Sequence, residues 1–187
     1  MNARAGSDGI VLRSLTSLSI LLINGVESVT AFKFPSSSGN TKVGSKPGFG
    51  FSIQKSNNEN IYHMGRVIIQ SRVRIGSNCT LDRGSFGDTV IGENTYIDNL
   101  CHIAHNVSIG NDCVFTGMNG IAGSTTVGNR VLSGGQVGIA GHLKIGNNVQ
   151  IAAKSGVINN IDDNASVMGN PAVNKFKYIK QFKKTYG

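Results

Sequence analysis

The sequence predicts an all-β chain wound as a parallel β-helix of hexapeptide repeats, with a short α-helix at its C-terminal end. From Ile91 to Val157 every sixth residue is Ile91, Ile97, Ile103, Ile109, Phe115, Ile121, Val127, Ser133, Ile139, Ile145, Ile151 and Val157, and eleven of these twelve are apolar. The residue after each is almost always small or turn-tolerant, as in Gly92, Ala104, Gly110, Ala122 and Gly128. Neither a helical nor a strand period generates such a run; a six-residue period does so in a β-solenoid. The 25 Gly and absent Trp in 187 residues suit tight coiling.

Three hexads make one triangular coil. Each hexad gives a short strand, whose aliphatic residue points inward, and a corner, where the small residue lets the backbone turn without a Cβ clash. Coils stack at about 4.8 Å, and a column of Ile and Val matches the β preference of branched side chains. Ile69, Ile75 and Leu81 keep the period earlier in the chain. The step from Leu81 to Ile91 is ten residues instead of twelve, which predicts a tighter corner near Gly84 and Gly87.

Four segments follow from these patterns. Residues 1–40 form an unassigned Ser-rich stretch with eight Ser and two acidic residues. Its apolar run Leu15–Ile23 is too short to span a membrane, and its composition also suits a signal or transit peptide, which would direct the chain to an organelle. Residues 41–68 read as a Gly/Phe-rich loop or hairpin, 69–161 as the β-helix carrying the site, and 162–187 as a basic tail. In that tail Phe176, Ile179 and Phe182 fall at helical spacing, predicting an amphipathic helix that caps the last coil.

The net charge is +8, much of it in Lys175, Lys177, Lys180, Lys183 and Lys184. This cluster reads either as a solvated helix face or as a docking patch for an acidic partner. No nucleic-acid recognition motif accompanies the charge. Cys79, Cys101 and Cys113 are odd in number, lack metal spacing, and read as reduced thiols.

The histidines carry the chemistry. His105 and His142 are 37 residues apart, two coils plus one residue, which predicts one edge of the triangle and a separation of roughly 10 Å. His102 and His105 are three apart in extended chain, which points them to opposite faces and argues against a zinc site; the expectation is no metal.

Several longer motifs are more specific than the repeat: Gly48-Phe49-Gly50-Phe51, Gly65-Arg66-Val67, Leu81-Asp82-Arg83-Gly84, Ile97-Asp98-Asn99 through Ile103-Ala104-His105-Asn106, Gly120-Ile121-Ala122-Gly123-Ser124 and Gly138-Ile139-Ala140-Gly141-His142. In this order they closely resemble the UDP-3-O-(3-hydroxyacyl)glucosamine N-acyltransferases of lipid A synthesis, over about residues 46–187. The resemblance implies a left-handed winding and transfer of a 3-hydroxyacyl group from acyl carrier protein to the 2-amine of UDP-3-O-acyl-glucosamine, with no cofactor beyond the thioester donor. It implies a homotrimer with the site between neighbouring subunits, a cytoplasmic location, and no stable membrane insertion. His105 would be the general base, Gly123 the backbone donor to the oxyanion, and His142 an aid to substrate binding or charge stabilisation. Asp98 and Asn99 would meet the donor arm, Asn106 would hydrogen-bond the sugar nucleotide, and Gly156 would leave the acyl groove long. The family's sugar-nucleotide-binding domain has no counterpart in these motifs, so a competent site with poor substrate capture is expected. A truncated inactive paralogue, or another hexapeptide acyltransferase, is the alternative reading.

Overall fold

The computed structural model describes residues 22–23, 26–27, 42–47, 49–53 and 57–186; expectations for the rest of residues 1–40 lie outside the described residues. From residue 67 onward the chain winds as a left-handed parallel β-helix, followed by one α-helix, Lys175–Tyr186. Three parallel sheets form the sides of the prism. The first stacks Arg74–Ile75, Tyr96–Ile97, Val114–Phe115, Leu132–Ser133, Gln150–Ile151 and Ser166–Met168, and Val173–Asn174 closes it antiparallel. The second stacks Lys42–Pro47, Thr80–Arg83, His102–Ile103, Gly120–Ile121, Gly138–Ile139 and Gly156–Val157. The third stacks Val67–Ile69, Thr89–Ile91, Ser108–Ile109, Thr126–Val127 and Lys144–Ile145.

In register, Ile97 pairs with Phe115, Ile103 with Ile121 and Ile109 with Val127, so regular coils are eighteen residues long. The core holds two inward positions per hexad. One is the aliphatic column expected from the period. The other lies two residues earlier and contains Cys79, Cys101, Val107, Cys113, Val131, Val137 and Val149, all buried. All three cysteines therefore share one hexad position and are free thiols inside the prism. Ser133, the polar exception in the aliphatic column, donates its hydroxyl to Asn119 Oδ1. Asn119 Nδ2 in turn donates to the carbonyls of Thr116 and Gly134, at 2.6 and 2.8 Å. This buried polar pair is thus satisfied.

The corners turn differently from the expectation. The left-handed backbone residue is the third after each inward aliphatic, and it is rarely glycine: Asn94, Leu100, Asn106, Asp112, Met118, Ser124, Arg130, Gln136, His142, Asn148 and Lys154 all have φ between 55° and 64°. The small residue directly after the aliphatic answers a different need, the close approach of the next coil. A Cβ on Gly92 would strike the Gly110 carbonyl, and one on Gly110 would lie 2.6 Å from the Gly128 carbonyl oxygen.

The irregular coil is also reversed from the expectation. Leu81 pairs with Ile103 and Ile69 with Ile91, a rise of 22 residues. Leu81 and Ile91 are successive inward positions, so the intervening corner is four residues longer than normal instead of tighter. The extra chain folds as a loop over Gly84–Gly87 and is tied to the preceding segment, with Met64 N and Gly65 N donating to the carbonyls of Ser85 and Gly84 (2.7 and 2.9 Å). Within 41–68 the structure holds a strand of the second sheet, Lys42–Pro47, and an antiparallel hairpin, Phe51–Ile53 with Asn58–Asn60.

The C-terminal helix starts on Asn174, whose Oδ1 accepts from the backbone N–H of Phe176 at 3.1 Å, an N-cap bond. Lys183 and Lys184 occupy its last turn, where cations suit the helix dipole. Its packing corrects the expectation. Tyr178 sits against Gly169, whereas Phe176 and Phe182 remain 77% and 53% exposed, so the spaced aromatics do not seal the last coil. Among the described residues no helix is long and apolar enough to cross a membrane.

Candidate active site

A groove of about 620 Å³ runs along the outer face of the second sheet and ends at the corner leading to the third. Outward positions alternate with inward ones along a strand, and on this sheet the outward residues in successive coils are His102, Gly120, Gly138 and Gly156. A Cβ at Gly120 or Gly138 would meet nothing within 4 Å. Three glycines in register therefore leave a trough floored by backbone, with apolar walls that include Ala104, Ala122, Ala140 and Ile158. Gly156 lies at its far end, where a Cβ would run into the Asn170 side-chain amide. The trough runs as far as Gly156, and there it is the Asn170 side chain that bounds it.

His105 stands at the head of the trough, two residues past the inward Ile103. Its Nδ1 lies 3.0 Å from Asn106 Oδ1. The next coil places Gly123 beneath the ring, where a Cβ would sit 2.7 Å from His105 Cε1 and Nε2. Only glycine leaves the imidazole this close to the main chain. The Gly123 N–H is also open. At the corner between the third and first sheets the equivalent amides are capped from the following coil: Glu93 N by Asn111, Asn111 N by Asn129, Asn129 N by Asn147 and Asn147 N by Asp163. No such side chain stands at Gly123, and among the described residues its N–H has no acceptor. His105 and Gly123 thus line one apolar trough, an imidazole beside a main-chain amide, the pair of groups that base-assisted acyl transfer uses.

The chain brings together some of the expected residues and separates others. His105, Gly123 and Gly156 line the trough. His142 occupies a left-handed corner position, donates its backbone N–H to the Gly123 carbonyl at 3.0 Å, and exposes its ring outside the trough lining. Asp98 and Asn99 lie at the opposite corner, between the first and second sheets. Asn99 Oδ1 accepts from Ser77 N and its Nδ2 donates to Asp98 Oδ1, at 2.7 and 2.9 Å, and neither residue reaches the trough of its own chain. Asn106, expected to contact a sugar nucleotide, has both ends of its amide engaged within the chain. His102 and His105 line the same trough instead of opposite faces, because the strand ends at Ile103 and the chain is already turning at His105, where strand alternation no longer applies. Among the described residues no group of three or more His, Cys, Asp or Glu side chains is arranged to hold a metal.

Four residues around His105 had no site role assigned from the sequence. His63 is 6% exposed and packs edge-on against His105, centroids 5.2 Å apart. Asp82 faces the imidazoles: burial pushes its carboxyl up from the ordinary 3.8, while His102, His105 and His63 pull it back. His102 Nε2 lies 3.8 Å from Asp82 Oδ2, and its Nδ1 2.7 Å from Thr80 Oγ1. Phe49, of the Gly-Phe-Gly-Phe motif, covers one side of the trough. The signal for Asp82 was its place in the Leu81-Asp82-Arg83-Gly84 motif; nothing in the periodicity pointed to His63.

A family model described as bacterial transferase hexapeptide (six repeats) matches residues 88–123. Over 73 residues the chain is 51% identical to a UDP-3-O-acylglucosamine N-acyltransferase of Maricaulis maris (strain MCS10), a match covering 39% of this chain and 21% of that relative. The matched stretch is similar to part of the UDP-3-O-acylglucosamine N-acyltransferases. A second enzyme of that name, from Methylobacterium nodulans, is 49% identical over 82 residues, covering 44% of this chain and 23% of its own length. The chain therefore matches less than a quarter of the length of either N-acyltransferase. A UDP-N-acetylglucosamine acyltransferase from Campylobacter jejuni superposes with a TM-score of 0.64 over 80% of this chain and 57% of its own, at 24% identity. A UDP-N-acetylglucosamine O-acyltransferase from Moraxella catarrhalis superposes with a TM-score of 0.62 over 79% of this chain and 58% of its own, also at 24% identity. These two likenesses concern the fold.

Proposed function

We propose that the chain transfers a 3-hydroxyacyl group from acyl carrier protein to the 2-amine of UDP-3-O-acyl-glucosamine, as a step of lipid A synthesis. The observation that carries this reading is the juxtaposition of His105 and the open Gly123 N–H at the head of an apolar, glycine-floored trough. The names of the N-acyltransferase relatives support the substrate class. In the reaction the sugar amine attacks the thioester carbonyl. Its proton passes to His105 Nε2, and the Gly123 N–H receives the developing oxyanion, a contact worth roughly 3–4 kcal/mol. The C–S bond then breaks, and the proton moves from His105 to the leaving thiolate. Imidazole is the side chain suited both to take and to return a proton near neutral pH. The acyl chain lies in the trough along Gly120, Gly138 and Gly156, where apolar walls favour hydrocarbon.

The working unit in this reading is a homotrimer. Asp98 and Asn99, which face away from the trough of their own chain, act at the site of a neighbouring copy. The Lys-rich helix Lys175–Tyr186 offers acyl carrier protein a basic surface. No cofactor enters, and the location is cytoplasmic, where the carrier-bound donor is made. The test is acyl transfer with 3-hydroxyacyl-carrier protein and UDP-3-O-acyl-glucosamine. Amide product that depends on both substrates supports the reading; a folded protein that leaves both substrates unchanged contradicts it.

A further inference from the structure

We propose that the enlarged corner between Leu81 and Ile91 is a tautomer lock for His105, with Asn106 as the positioning residue and Ser85 and Gly87 as its clamp. The inference rests on the reading of His105 as the base. A base that works through Nε2 needs its other nitrogen protonated, and free imidazole favours the reverse arrangement. The structure supplies what reverses that preference.

Asn106 Nδ2 donates to the Gly87 carbonyl at 3.1 Å, and its Oδ1 accepts from the Ser85 backbone N–H at 3.0 Å. A backbone carbonyl only accepts and a backbone N–H only donates, so these two bonds fix which end of the amide is oxygen. The Ser85 hydroxyl adds a third bond to the same oxygen at 2.8 Å, and Thr89 Oγ1 accepts the Asn106 backbone N–H at 2.9 Å. The oxygen so oriented lies 3.0 Å from His105 Nδ1. An amide oxygen cannot donate, so His105 Nδ1 carries the hydrogen and Nε2 keeps its lone pair, on the side facing Gly123.

The clamp explains why this corner departs from the repeat. At ordinary corners a carbonyl of the preceding coil accepts the corresponding backbone N–H, as His105 O accepts from Ser124 N, whereas here Thr89 Oγ1 takes it and the longer corner places Ser85 and Gly87 against the Asn106 side chain. The loop is itself close-packed: a Cβ on Gly84 would collide with the Gly87 carbonyl.

The test is 15N NMR of histidine-labelled protein at a pH where the ring is neutral, with His105 assigned by the signals that vanish in His105→Ala. The lock predicts a pyrrole-type Nδ1 and a pyridine-type Nε2 in the wild type. Asn106→Leu moves the pattern toward Nε2–H and lowers kcat about 10- to 100-fold with KM little changed, whereas Asn106→Asp, which keeps an acceptor, restores Nδ1–H. Leucine already occupies the same left-handed corner position at Leu100. Should Asn106→Leu fold poorly, Ser85→Ala, which loosens the clamp without touching His105, shifts the pattern part of the way. A wild-type ring protonated at Nε2, or an Nδ1–H pattern that survives Asn106→Leu, overturns the lock. Because the signals are read without substrate, absent turnover beside an Nδ1–H pattern counts against the acyl-transfer reading and not against the lock.

Discussion

Substituting Gly138 by leucine converts the trough into a length gate. Gly138 lies two coils beyond His102, about 10 Å away at ~4.8 Å per coil. A Cβ there meets nothing within 4 Å, so the new side chain fills the trough without displacing the core and the fold is retained. Acyl carbons beyond that point lose their seat. Each methylene kept out of an apolar site forfeits about 0.8 kcal/mol, so four of them cost about 3 kcal/mol, a loss on the order of 100-fold in kcat/KM at roughly 1.4 kcal/mol per decade. The assay compares wild type and Gly138→Leu with 3-hydroxyacyl donors of graded length. Long donors should lose that factor while short donors that end before Gly138 react as before. An equal loss for all lengths, or no loss for the longest, would refute the assignment of the acyl chain to this trough.

Other consequences follow from the same geometry. Gly123→Ala puts a methyl 2.7 Å from the His105 ring, so acyl transfer should fall on the order of 100-fold while the thermal melt stays close to wild type. Ile121→Ala opens a hole in the central column and should cost about 2–5 kcal/mol in chemical denaturation. Asn119→Ala removes the amide that donates to the Thr116 and Gly134 carbonyls and accepts from the Ser133 hydroxyl, and should cost about 1–3 kcal/mol by the same measurement. The paired Arg66 guanidinium holds the Asp88 carboxyl below its ordinary 3.8. Its contribution to stability is present above that value and is lost as pH falls through the lower folded value, so Asp88→Asn should flatten this part of the acid limb of a melting-temperature profile. Exposure of the pair keeps the effect small.

What could be read in the sequence was whatever repeats. The column Ile97, Ile103, Ile109 and its successors fixes coil length and core, and each aliphatic does in the structure what its period implies. The second inward column was harder to see because Thr, Cys, Val, Asn and Ser all occupy it; the buried Cys101 and Asn119 answer to hydrogen bonding as well as to apolarity. Corner chemistry was misassigned because coil stacking and chain reversal both favour small residues, and the periodicity cannot separate them. Only the backbone shows that Leu100 and Met118 do the turning. At the site, His105 and Gly123 stood out through motifs, and Gly156 only through the family resemblance. Asn106 was legible as important but not as a clamp, because its partners Ser85 and Gly87 belong to the one corner that breaks the period. His63 reaches His105 through the chain preceding the repeat, a contact no six-residue rule encodes.

The central claim is that His105 performs base-assisted acyl transfer over the Gly123 amide. The most direct measurement is turnover of 3-hydroxyacyl-carrier protein and UDP-3-O-acyl-glucosamine by wild type and His105→Ala, side by side and equally folded. The account predicts amide product from the wild type and a rate lower by roughly 10²–10⁴ in the variant. Equal rates in the two proteins would contradict it.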